Sequence, residues 1–166
     1  PLYGDAALHL GTGEIGFIMS ASSLGMLFMT IPAGYIVDRW GRKAGLVPAF
    51  LLTGLVFALF PFTTNFISIL IVAALLGVAI GLGGGALGAI ATDLAPAGVK
   101  GTFMGLWSTV GALGSAVGPV ILGLVADVLG LSLSFYVTTA LVIFSAITTH
   151  LFVKETLEKA DDKKAG

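Results

Sequence analysis

The chain contains no cysteine, which excludes disulfides and thiolate metal sites. Charge is nearly as scarce: Asp, Glu, Lys and Arg together make up 10% of its 166 residues. A water-soluble domain carries roughly 25%, because its surface must face water. This chain has too few charges for that. Its net charge of −1 leaves no basic excess for a nucleic-acid partner. The apolar runs hold no clustered His, Asp or Glu and no paired nucleophile and base, so no metal, cofactor or enzymatic chemistry is expected. The first 16 residues lack the basic start and short apolar run of a signal peptide. A start at Pro1 rather than methionine is expected of a truncated segment.

What the chain does have is apolar length. Hydrophobic residues make up 57%, and the mean hydropathy is +1.05. Crossing a hydrocarbon core of roughly 30 Å takes about 20 mostly apolar residues in a helix. Five runs meet that length: 15–37, 44–62, 66–91, 102–126 and 131–153. The separators Asp38–Lys43, Thr63–Asn65, Thr92–Gly101 and Asp127–Gly130 fit turns, and residues 154–166 form a charged tail. Surface helices of soluble proteins show a polar stripe, and these runs have none. Strands are disfavoured by the lack of alternation and by dense glycine inside the runs. The expected fold is an all-α membrane protein with five transmembrane helices and lipid as its surrounding partner.

The eight basic residues fall in three places: Arg39, Arg42 and Lys43; Lys100; and Lys154, Lys159, Lys163 and Lys164. Alternating spans put all three on one side, and the opposite segments hold Asp5, Glu14 and Asp127 without a base. Basic residues at span ends mark the cytoplasmic side. The N-terminus is therefore expected outside and the tail inside, in a cell membrane.

Two glycine patterns are decoys. Gly11-Thr-Gly13-Glu-Ile-Gly16 and Gly83-Gly-Gly85-Ala-Leu-Gly88 both fit G-x-G-x-x-G. A dinucleotide site needs a strand before the glycines and a βαβ unit around them. The first pattern follows only ten residues, and the second lies inside an apolar run. The second reads better as packing: Gly77, Gly81 and Gly85 recur every four residues and let a neighbouring helix approach.

The separator after the first run reads Gly34-Tyr-Ile-Val-Asp38-Arg39-Trp40-Gly41-Arg42-Lys43. One acid and three bases sit in a short turn, where Gly41 permits a tight reversal. Asp38 can neutralise the bases or cap the next helix, and Trp40 suits the membrane interface. The spacing resembles the G-x-x-x-D-R-x-G-R-K signature of the major facilitator superfamily. Asp93-Leu-Ala-Pro96 followed by Lys100-Gly101 is similar to that family's D-x-x-P…R-G cytoplasmic loop, with lysine for arginine. Gly114-Ser-Ala-Val-Gly118-Pro119 resembles its G-x-x-x-G-P stretch, where proline can bend the helix. Glu155-Thr156 matches a common end to a six-helix half.

The resemblance implies an incomplete six-helix half-bundle of a secondary transporter working by alternating access. Its partners would be a small-molecule solute, a coupling proton or ion as candidate co-substrate, and the missing half of the same polypeptide. Helices eight to twelve are favoured over two to six, because the third run lacks an arginine. Gly34, Asp38, Arg39, Gly41, Arg42 and Lys43 would form a conformational latch, with Asp38 and Arg42 its main charges and Gly34 at a helix contact. The alternative is a non-transporting sensor or assembly subunit on the same scaffold. No charge lies mid-span, so a proton-carrying carboxylate is expected elsewhere. Ser22, Met26, Trp107 and Ser108 are the candidate cavity residues, beside the bland reading that hydroxyls bond their own helix.

Overall fold

The computed structural model describes residues 11–96 and 98–153. Five helices account for nearly all of them: α1 (Thr12–Trp40), α2 (Arg42–Leu59), α3 (Phe66–Leu94), α4 (Lys100–Leu129) and α5 (Leu131–Phe152). A single 3₁₀ turn, Phe60–Phe62, extends α2. Each of the five is long and apolar enough to cross a membrane. The expected residues 154–166 tail lies outside the described residues.

The helices are longer than the apolar runs and take in residues expected in turns. Asp38 to Trp40 complete α1, Thr92 to Leu94 complete α3, and Asp127 to Leu129 complete α4. A 29-residue helix measures about 44 Å, well beyond a hydrocarbon core of roughly 30 Å. Its polar ends therefore stand in the headgroup region, where charge is tolerated and the backbone ladder continues unbroken.

The turns shrink to match. Gly41 alone joins α1 to α2, at φ 105°, and Gly130 alone joins α4 to α5, at φ 88°. Both are conformations that glycine adopts without a Cβ penalty. The Gly41 amide donates to the Val37 carbonyl at 3.2 Å, and the Gly130 amide to Ala126 at 2.9 Å. Ahead of α3, Asn65 and Ser68 cap each other. The Asn65 Oδ1 accepts from the Ser68 amide at 2.9 Å, and the Ser68 Oγ from the Asn65 amide at 3.2 Å.

α3 is the hub. It contributes the most buried positions, eleven from Ile69 to Ala91, whereas α4 contributes none. α1 crosses α3 where both carry glycine: a Cβ on Gly77 would strike the Ser22 carbonyl, and one on Gly81 would stand 2.7 Å from the Met26 carbonyl. Lipid tails are as apolar as leucine, so close backbone approach, rather than water exclusion, drives such contacts. α2 packs on the adjacent face of α3 through Gly45 against Ala86 and Gly83 against Ala49. Val37, Leu46, Ala86 and Ile90 form one buried cluster; Ala33, Ala49 and Leu82 form a second.

The outer flank of α2 carries α5. Gly54 lets Ile143 approach to 3.0 Å from where a Cβ would stand, and the Thr139 hydroxyl donates to the Gly54 carbonyl at 3.2 Å. Phe60 stacks on Phe135 with centroids 5.1 Å apart, and Phe57 leans on both. Large apolar side chains such as Ile31 and Phe152 are more than 80% exposed. That surface suits lipid and not water.

Three expected packing glycines depart from this scheme. A Cβ on Gly85, Gly114 or Gly118 would have no neighbour within 4 Å among the described residues. Residues four apart drift about 40° around a helix. By Gly85, the face that meets α1 at Gly77 has turned away. Pro119 lies inside α4, which continues through it to Leu129.

Candidate functional site

Three helix ends meet around Arg42, the first residue of α2. Because Gly41 is the whole connection, Asp38 on the last turn of α1 stands one helical step from Arg42. The Arg42 Nη1 donates to Asp38 Oδ1 at 3.0 Å and to the Val37 carbonyl at 3.4 Å. Its Nε donates to Asp93 Oδ2 on α3, also at 3.0 Å. A planar guanidinium can serve two acids in different directions, which a lysine ammonium does less rigidly.

The two acids are not equivalent. The Arg42 side chain is 14% exposed, Asp93 27% and Asp38 77%. Water screens an exposed pair almost completely. Asp93 is therefore the stronger tie, and it joins α2 to α3, whereas Asp38 joins α2 to α1.

The other two bases differ from Arg42. Lys43 donates from Nζ to the His150 carbonyl at 2.8 Å. That carbonyl belongs to the last turn of α5, where backbone acceptors are unpaired and the helix dipole favours a cation. Arg39 donates to the Tyr35 hydroxyl one turn back and lies over its ring, with Cζ 5.7 Å from the centroid. Asp38 makes no cap to α2, whose N-cap is Gly41 without a side-chain bond.

The charged residues singled out in the sequence thus divide. Asp38, Arg42 and Asp93 come together, although Asp93 was expected in a separate loop with Pro96, Lys100 and Gly101. The Pro96 carbonyl accepts from the Val99 amide at 3.4 Å in the turn before α4, and Lys100 and Gly101 begin α4, both exposed. A Cβ on Gly34 would have no neighbour within 4 Å among the described residues, whereas Ala33 and Val37 beside it are buried. The partners missed in sequence are Tyr35 and the His150 carbonyl. The (i, i+4) spacing of Tyr35 and Arg39 could have signalled the first; a backbone acceptor 107 positions from Lys43 leaves no sequence signal.

The cavity candidates do not converge. Ser22 and Met26 lie at the α1–α3 crossing, where their backbones face Gly77 and Gly81. Trp107 lies on α4 and lines an open cleft of about 480 Å³ with Leu87, Phe103, Leu106, Val110 and Gly111. Ser108, next to it, is exposed and not among the lining residues. α1 and α4 make little or no contact. Other hydroxyls bond their own helices: Ser23 to Met19, Thr109 to Gly105 and Ser115 to Gly111, at 3.0, 2.9 and 3.1 Å.

Comparison with known proteins follows the same motifs. A sequence model described as Major Facilitator Superfamily matches residues 1–166. The multidrug resistance protein MdtG of Proteus mirabilis is 36% identical over 162 residues, covering 96% of this chain and 39% of that protein. MdtG of Escherichia fergusonii is 33% identical over 164 residues, covering 97% and 38%. An uncharacterized MFS-type transporter of Methanocaldococcus jannaschii is 28% identical over 156 residues, covering 91% and 40%. The chain spans about two-fifths of the length of these curated relatives. With all of its residues matched by the family's sequence model and five membrane-length helices, this multi-pass membrane chain belongs to the major facilitator superfamily.

Proposed function

We propose that the chain is part of a secondary transporter that exports small hydrophobic solutes by alternating access. The observation that carries the reading is the Arg42 bridge from Asp38 on α1 to Asp93 on α3, which ties three helix ends at one membrane face. Such a charge cluster holds the helices together in one access state and must open for the other. Lys43 on the α5 carbonyl extends the tie to a fourth helix.

The solute class rests on two supports. Relatives at 32–36% identity carry the name multidrug resistance protein, and the cleft around Trp107 is lined by apolar and aromatic side chains. Ser22, Met26 and Ser108 would join that surface only when another conformation or the rest of the polypeptide closes over it. The other half of the bundle, a coupling proton or ion and lipid complete the working unit. The five helices fit positions eight to twelve of the family pattern, with α1 entering from outside and α5 ending in the cytoplasm beside the basic residues. The names of the relatives do not favour a sensor or assembly subunit.

The test uses the full-length protein in vesicles. Asp38→Asn and Arg42→Ala should each lower solute flux by tenfold or more while leaving the protein inserted. Unchanged flux in both would remove the latch from the mechanism.

A further inference from the structure

We draw no further inference here: the strongest candidate, the open apolar cleft between α3 and α4 lined by Leu87, Phe103 and Trp107, belongs to the solute surface already described, and nothing in the structure shows what covers it.

Discussion

Arg42 and Asp93 are 51 positions apart in the chain and meet through a 3.0 Å bond between Nε and Oδ2. Their pairing closes one end of the bundle from α2 to α3, while the exposed Asp38 adds a weaker link to α1. One arginine therefore sets the spacing of three helices.

The first prediction follows from the unequal burial of the two acids. Asp93→Asn should cost about 1–2 kcal/mol of stability, since it leaves a mostly buried guanidinium short of a charged acceptor. Asp38→Asn should cost less than about 1 kcal/mol, as exposed pairs do. Thermal unfolding of the full-length protein in detergent measures both, and equal losses would contradict the ranking.

A second prediction concerns glycines that look alike in sequence. Gly77→Ala forces a methyl group into the Ser22 carbonyl, and overpacking of this kind costs about 1–3 kcal/mol. Gly85→Ala enters open space and should be neutral or gain up to about 1 kcal/mol from helix propensity. The same melting experiment separates them.

Gly41 provides a third. At φ 105° and ψ 164° it occupies a backbone region that is essentially reserved for glycine. Gly41→Ala should destabilise the α1–α2 corner by about 1–3 kcal/mol. Hydrogen exchange should rise at the amides of Arg39 to Lys43 before it rises in α3.

The fourth tests the reach of Lys43 to α5. Lys43→Met removes a cation and a donor from the last turn of that helix, worth about 0.5–1.5 kcal/mol. Exchange of the amides from Thr149 to Phe152 should speed up selectively, with α3 unchanged.

The five spans were legible because hydrocarbon thickness imposes a length that only a long apolar run can meet. Their ends were less so. Asp38, Arg39 and Trp40 read as loop residues by polarity, yet a helix that outruns the hydrocarbon keeps its backbone bonds into the headgroup region. Asp93 was visible as part of a motif, but its pairing with Arg42 depends on how α3 is rotated against α2, and side-chain type says nothing about that angle. The glycine series shows the same limit. Spacing by four identified Gly77 and Gly81, while the drift of an α-helix relative to that spacing removed Gly85. For Gly34 the signature fixed only a place in the chain; among the described residues Ala33 and Val37 hold the contact face.

The single-residue corners have a mechanical consequence. With only Gly41 between α1 and α2, and only Gly130 between α4 and α5, the facing ends of each pair cannot part, and any motion of one helix must pivot at that glycine. More slack lies between α3 and α4, where five residues separate Leu94 from Lys100 and Gly98 stands at φ 90°. Lengthening the chain there should be tolerated, whereas one extra residue beside Gly41 would uncouple α1 from α2 and rotate the partners of Arg42 out of register.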